Sequence, residues 1–292
     1  MDHDIAAADD YVTHVKTALD EAAREIDTAA MVFIETDAAR AQLGRALGHA
    51  RNALSRARHD IAAHEAREQR FRDRDSAQRF IAGLSLGEDS LPYFAVTVVP
   101  LPLEEERIPP TRFDDRAFQN DFNVAITRFN GEERRRLGYL MEVPGSMSGS
   151  AQIDHLAYVT YSQGAKEPSQ YAWLFSTGAL VFKHRLHAWV SPPVVPLDYM
   201  LEDLRATVRF VLRLYEEYNI VPRAIALHVA LANADDFRLM VRTAFAQEQR
   251  TRTETGPIVA PKYPIIVSLR DAADVLSRVE PSIAAALRAP FA

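Results

Sequence analysis

Apolar residues recur at a seven-residue spacing along the first third of this chain. Apolar positions that average 3.5 residues apart are typical of helices that bury a narrow strip against another helix. Residues 5–84 contain no proline and only three glycines, which favours helix throughout. We call the predicted contact strip the helical seam; its members are Val12, Leu19, Ile26, Phe33, Leu43, Leu47, Leu54 and Ile61.

The charge of the same segment changes sign along the chain. Residues 1–39 carry ten acidic and two basic residues (net −8), whereas residues 40–80 carry ten arginines and five acidic residues (net +5). Thr36 or Asp37 can cap a second helix. Antiparallel helices would bring these opposite charges together, in a hairpin of one chain or in an antiparallel dimer. We predict a coiled coil that associates with a second copy; the alternative is packing against the chain's own globular domain.

Composition limits the class of protein. The 292 residues carry a formal net charge of −6, and 48% of them are hydrophobic, which is typical of a globular protein. The chain has no cysteine, which excludes disulfides, thiolate metal sites and a cysteine nucleophile. The first ten residues lack the basic and apolar regions of a signal peptide, and no apolar run approaches the roughly 18 residues of a membrane span. We therefore expect a cytoplasmic protein without a membrane partner.

The pattern changes after residue 85, so we predict a helical region at 1–85 and an α+β domain at 86–292. A helix is expected at 197–219, where apolar residues recur at helical spacing. This order predicts a mixed β-sheet with helices packed on one face. Less regular segments are read as a surface loop at 104–123, a strand at 124–129, a loop at 144–150 and a second helix at 235–249. Strands are expected at 93–99, 155–161, 171–176, 179–184, 224–231 and 258–269.

One segment of this domain carries a family resemblance. The run YAWLFSTGALVF (residues 171–182) resembles a strand–turn–strand stretch in the C-terminal region of Schlafen-AlbA-type bacterial putative ATP-binding proteins. Together with the order of elements, the resemblance covers roughly residues 70–270. Ser176 and Val181 stand where the family usually has Arg and Glu, and a predicted coiled coil replaces the AlbA-like domain. The resemblance implies a sensor or partner-recognition module in an antiviral defence complex, and no ATP-linked activity is carried over.

No catalytic, metal or cofactor site is predicted from the motifs. Met147 occupies the serine position of a G-x-S-x-G pattern. Asp154 and His155 are adjacent in a strand and point to opposite faces. No third histidine or carboxylate lies at a spacing from His184 and His187 that would suggest a metal site. Asp235 is explained as a helix N-cap. A hydrolase with an unrecognised site remains an alternative, and its sign would be a buried cluster of titratable groups.

Arginines suggest a second alternative, a nucleic-acid-binding accessory factor. The candidate residues for this patch are Arg51, Arg58, Arg134, Arg135 and Arg136. Acidic residues are interleaved with the arginines of the second helix, which favours a solvated helix exterior. The prediction with most support is therefore a non-enzymatic protein that forms homo-oligomers through the helical seam and recognises a protein partner or ligand.

Overall fold

The structure is a computed structural model, and it divides the chain into two compact units. It describes residues 2–29, 37–84, 91–129, 144–152, 154–162, 168–186, 192–242, 247–253, 256, 258–269 and 272–291. Unit 1 comprises residues 1–72 and unit 2 comprises residues 73–292. The division falls inside a helix, 13 residues before the boundary that the sequence pattern suggested.

Unit 1 contains two long helices. Helix α1 spans Asp2–Ala29, and helix α2 spans Asp37–Ala82 and continues into unit 2. Asp37, one of the two predicted caps, is the first helical residue of α2. The absence of proline and the helical spacing of apolar residues explain why both segments are helical.

Unit 2 is an α+β structure, as predicted. Its helices are α3 (Arg116–Arg128), α4 (Leu197–Glu217) and α5 (Ala272–Arg288), with a 3-10 turn at Pro110–Arg112. Its strands are β1 (Tyr93–Leu101), β2 (Pro144–Ala151), β3 (His155–Ser162), β4 (Pro168–Phe175), β5 (Leu180–Arg185), β6 (Val194–Pro196), β7 (Ala224–Ala232), β8 (Arg238–Arg242), β9 (Gln247–Arg250) and β10 (Ile258–Ser268).

The main sheet is antiparallel throughout its described ladders, so the prediction of a mixed sheet is wrong for it. Its seven strands follow the order β10-β7-β1-β5-β4-β3-β2. The strand after α4 pairs antiparallel with β1, whereas the parallel pair involves β6 and β8 of a separate three-stranded sheet. The connection β6–α4–β7 therefore joins the three-stranded sheet to the main sheet.

Side chains alternate between the two faces of the main sheet. On the helix-covered face, Phe94, Phe182 and Leu227 belong to the large core that includes residues of α3, α4 and α5. The other side, which we call the opposite face, is contacted at one end by the last turns of α2. There Phe80 meets Phe175, with ring centroids 5.0 Å apart. Helices α3, α4 and α5 therefore lie on one face of the main sheet, and the end of α2 lies on the other.

Four predicted elements are wrong in whole or in part, each for a local reason. The predicted surface loop at 104–123 contains the 3-10 turn at Pro110–Arg112 and the first eight residues of α3. Residues 124–129 lie at the end of α3, where Phe118, Phe122 and Ile126 are buried at the four-residue spacing of a helix and Asp115 caps its start. The predicted 144–150 loop is edge strand β2. The segment predicted as a helix at 235–249 contains strands β8 and β9 instead. Strands β2 and β9 contain few apolar residues, and the three consecutive apolar residues of β8 (RLMVR) do not distinguish a strand from a helix.

The hairpin predicted around Thr177 and Gly178 is confirmed. Strands β4 and β5 pair from Gln170↔His184 to Leu174↔Leu180, and Gly178 has φ +82°. This left-handed conformation is strained for any residue with a Cβ atom, which explains the glycine. The hydroxyl of Tyr215 on α4 donates to the Gly178 carbonyl at 3.0 Å and ties the turn to the core.

Candidate functional sites

Ion pairs join α1 to α2 of the same chain in antiparallel order. The distances between the charged atoms are 2.7 Å for Asp27–Arg51, 2.5 Å for Asp20–Arg58 and 2.6 Å for Lys16–Glu65. A step of seven residues along α1, from Asp27 back to Asp20, matches a step of seven forward along α2. The first two pairs therefore follow the heptad spacing of the apolar positions, whereas Lys16 of the third pair lies four residues from Asp20.

The residues of the predicted helical seam lie on the same two helices as these pairs. Leu19 and Ile26 on α1, and Leu43, Leu47, Leu54 and Ile61 on α2, are half-buried, whereas most of their neighbours are exposed. Val12 is in α1, but its side chain is not described, and Phe33 lies outside the described residues. Among the described side chains of residues 13–29 and 37–72, none is fully buried.

Two arginines of the predicted nucleic-acid patch are partners of α1. Arg51 binds Asp27 and Arg58 binds Asp20, so carboxylates already occupy part of their hydrogen-bonding capacity. Arg134, Arg135 and Arg136 lie outside the described residues. The described geometry thus uses the α2 arginines for contact with α1.

A buried polar cluster lies on the helix-covered face where α4 begins. His184 Nδ1 is 2.5 Å from Asp203 Oδ2, and the two side chains are 3% and 0% exposed. A carboxylate oxygen accepts hydrogen bonds, so this contact fits the imidazole tautomer that carries its proton on Nδ1. Gln170 on β4 pairs with His184 in the ladder, and Thr160 on β3 pairs with Gln170; both are buried.

This cluster joins α4 to the sheet inside an otherwise apolar core. The ring of Phe182 lies 6.1 Å from that of His184 and contacts Phe210 of α4. A His–Asp pair can orient a general base, but such a base also needs a reacting group within hydrogen-bond reach. The described contacts instead support a structural role for His184, and His187 lies outside the described residues.

Aromatic and cationic side chains lie together on the opposite face. The Lys183 ammonium is 4.2 Å from the centre of the Tyr93 ring and 5.4 Å from that of Tyr171. The rings of Tyr171 and Trp173 are 6.0 Å apart, and both residues are half-buried. Tyrosine rings stabilise a nearby cation through their electron-rich faces, which suits the burial of Lys183.

Two polar residues at the centre of the opposite face have buried atoms without a hydrogen-bonding partner. Thr97 on β1 and His228 on β7 are register partners and are 0% and 3% exposed. Thr97 Oγ1 and His228 Nδ1 make no hydrogen bond in the described structure. Burial lowers the pKa of His228 from an ordinary value near 6.5 to about 4, so its imidazole is neutral at pH 7.

The remaining sequence candidates have local structural partners. The prediction that Asp154 and His155 point apart is wrong: Asp154 Oδ1 lies 2.7 Å from His155 Nδ1, because Asp154 precedes β3 and only His155 belongs to the strand. Asp235 accepts from the Gly256 amide and pairs with Arg252, so it joins two loops. Within the described part of the chain, no group of three or more His, Asp or Glu residues is placed to hold a metal ion.

The sequence did not reveal either buried polar group. His184 and Asp203 are 19 residues apart, and Asp203 looked like an ordinary acid near a helix start. Thr97 and His228 are brought together by pairing of β1 with β7, which are separated by more than 120 residues. A polar residue within an otherwise apolar strand, as in AIALHVALA, is the one local signal that could have indicated His228.

Comparisons with known proteins identify no relatives. No protein-family model matches the chain, and neither the curated proteins nor the solved structures provide a match. Among the helices that the structure describes, none is long and apolar enough to cross a membrane.

Proposed function

We propose that this protein is a non-enzymatic assembly and recognition protein. In this proposal α1 and α2 form an antiparallel coiled-coil hairpin, and two hairpins from two copies associate through the helical seam. The observation that carries it is the antiparallel series of three ion pairs between the acidic helix α1 and the basic helix α2, together with half-buried apolar residues at the heptad positions. Unit 2 is the recognition module.

Burial in unit 1 supports association with a second copy. Leu19 and Leu54 are half-buried, and no described side chain from 13–29 and 37–72 is fully buried. Helices gain most of their stability from burial of an apolar face, and exposed ion pairs contribute only about 0–1 kcal/mol each. A second hairpin that covers the open side of the seam would supply the missing burial.

Charge complementarity favours a second copy as the occupant. Helix α1 carries eight acidic and two basic residues, and α2 carries ten basic and six acidic residues. Two hairpins can therefore associate with each acidic helix beside a basic helix of the other copy. This arrangement forms a bundle of four helices that alternate in charge.

The recognition role of unit 2 rests on a different argument. The hairpin at residues 171–182 resembles the C-terminal region of Schlafen-AlbA-type proteins, for which a sensor role in antiviral defence is the implied context. Unit 2 also has buried polar and aromatic groups on the opposite face of its sheet. We expect the protein to act in the cytoplasm, where such complexes assemble.

Sedimentation velocity tests the assembly proposal. The wild-type protein is expected to sediment as a dimer of about 65 kDa, twice the 32.7 kDa chain. The double variant Leu19→Asn/Leu54→Asn should sediment as a monomer, because polar groups on the seam oppose burial. Phe71→Asn is the matched control, since Phe71 is 60% exposed on α2. A wild-type protein that is a compact monomer at micromolar concentration would exclude self-association.

Cross-linking separates the hairpin from the dimer. The chain has no cysteine, so Asp20→Cys/Arg58→Cys introduces the only two thiols. A short bis-maleimide should link them within one chain, because the native side chains of these positions are in contact. Cross-links found only between chains would show that α1 pairs with α2 of the partner copy.

A further inference from the structure

Strand β2 forms one edge of the main sheet. The strand order ends at β2, and β3 pairs with one side of it. Residues 146–151 pair with residues 156–161 without irregularity, and Gly149 is exposed. Among the residues that the structure describes, no other strand pairs with β2, so alternate N–H and C=O groups along its outer side point away from the sheet. Such an edge is a template for pairing with another chain.

The other described edge strands have features that oppose such pairing. Strand β10, at the far edge of the main sheet, contains Pro261 and Pro264 within a register irregularity. In the three-stranded sheet, β9 has four residues, of which two are charged, and β6 has three residues and ends in proline. Residues 146–151 of β2 contain no proline and no charged residue. Strand β2 is therefore the described edge without this protection.

The sequence of β2 is symmetric about Met147. Residues 145–149 read Gly-Ser-Met-Ser-Gly, which is the same in both directions. A two-fold interface brings the same surface of both copies together, so that surface must be complementary to itself. Two antiparallel copies of β2 with a two-fold axis at Met147 would pair glycine with glycine and serine with serine, and serine pairs across strands can hydrogen-bond. The occupant that fits this edge is therefore a second copy of β2.

The absence of charge on β2 also favours a second copy. A strand that pairs with its own copy brings equivalent residues together, so a charged residue near the axis would face a like charge. Residues 144–151 carry no charge. The whole chain has a formal net charge of −6, so long-range electrostatics opposes association of two copies. We therefore expect backbone hydrogen bonds to hold the pair, and added salt should not weaken it.

We propose that β2 pairs antiparallel with β2 of a second copy about a two-fold axis at Met147, which joins two main sheets into one continuous sheet. This interface is separate from the helical seam and goes beyond the dimer proposed above, because dimers formed through the seam can join further through β2. A short strand pair is a small interface of the kind found in weak association, so we expect it at about 100 µM rather than at about 1 µM.

Charge reversal at Met147 tests the inference in the full chain. The Leu19→Asn/Leu54→Asn variant serves as the background, since it removes the proposed seam, and at about 100 µM it should sediment as a dimer. Adding Met147→Lys or Met147→Glu should leave each protein monomeric, because like charges then face each other across the axis. An equimolar mixture of the two should form the dimer again, because lysine then faces glutamate. Recovery in the mixture also shows that both variants are folded.

A second methionine provides the matched control. Met240 is half-buried on β8, so Met240→Lys in the same background adds the same charge elsewhere and should leave the dimer unchanged. A background protein that stays monomeric at about 100 µM, a Met147→Lys protein that still dimerises, or a mixture that stays monomeric would each overturn the proposal. Failure of the seam proposal is a separate result, because it is read from the wild type at micromolar concentration, where β2 pairing is not expected.

Discussion

The contact between His184 and Asp203 should be among the most sensitive single positions in unit 2. Both side chains are buried, at 3% and 0% exposure, and His184 Nδ1 is 2.5 Å from Asp203 Oδ2. Replacing Asp203 with alanine leaves His184 without this acceptor in an apolar core. Removal of one member of a buried pair typically costs about 3–5 kcal/mol. We therefore expect Asp203→Ala to lower the free energy of unfolding of unit 2 by that amount.

Urea denaturation and thermal unfolding, both followed by near-ultraviolet circular dichroism, measure this change. For a unit of 220 residues (73–292), each kcal/mol corresponds to about 2–4 °C in Tm, so Tm should fall by about 6–20 °C. Glu216→Ala is the control, because Glu216 is exposed on the same helix and should change stability by less than about 0.5 kcal/mol.

A double variant distinguishes loss of the pair from loss of packing. His184→Leu/Asp203→Leu replaces both polar partners with apolar groups, which is often nearly neutral for buried pairs. It should be more stable than Asp203→Ala. The single variants His184→Leu and Asp203→Leu complete the cycle. If Asp203→Ala costs less than about 1 kcal/mol, or if the double variant loses as much stability as these two single variants together, the interpretation of the pair as a coupled contact is refuted.

Three further predictions concern other positions. Burial depresses the pKa of His228 to about 4 in the folded state, so the unfolded chain binds its proton first as pH falls. The free energy of unfolding of the wild type should therefore fall by up to about 3 kcal/mol between pH 6.5 and 4, and that of His228→Leu should fall by less in the same titration. Arg205 donates through Nε and Nη2 to Glu280 of α5, a two-bonded contact that lysine cannot reproduce. Arg205→Lys should therefore lower the free energy of unfolding, measured by urea denaturation, by about 1 kcal/mol, and by less at high salt. An equal loss in 1 M salt would contradict this prediction. Gly178→Ala places a Cβ atom in a left-handed turn and should destabilise the protein by about 1–2 kcal/mol. Gly44 lies in a helix with open space around it, so Gly44→Ala should stabilise the protein by about 0.5–1 kcal/mol. Changes in Tm of the same sign for both variants would contradict this backbone explanation.

The sequence alone was sufficient for elements whose signal is local. Helices α1, α2 and α4 are encoded by the spacing of apolar residues within each segment, and the β4–β5 hairpin is encoded by strand residues around Gly178. The half-buried positions of α1 and α2 could also be named, since a heptad repeat specifies which side of a helix meets another helix. Self-association through those positions stays a prediction.

Tertiary structure decided the features that depend on distant partners. Residues 124–129 are helical because Phe118, Phe122 and Ile126 bury one side of α3, and a short window of β-prone residues does not show this. The main sheet is antiparallel because β7 pairs with β1, a choice made between strands far apart in the chain.

The same limit applies to the candidate sites. A buried His–Asp contact and an unsatisfied Thr–His pair exist only after register and helix packing bring those side chains together. Local periodicity records which side of an element is apolar, and this was enough to predict the helices and several strands. It does not record which distant polar residue that side will meet, because the pairing energy arises only when the sheet and its covering helices have assembled.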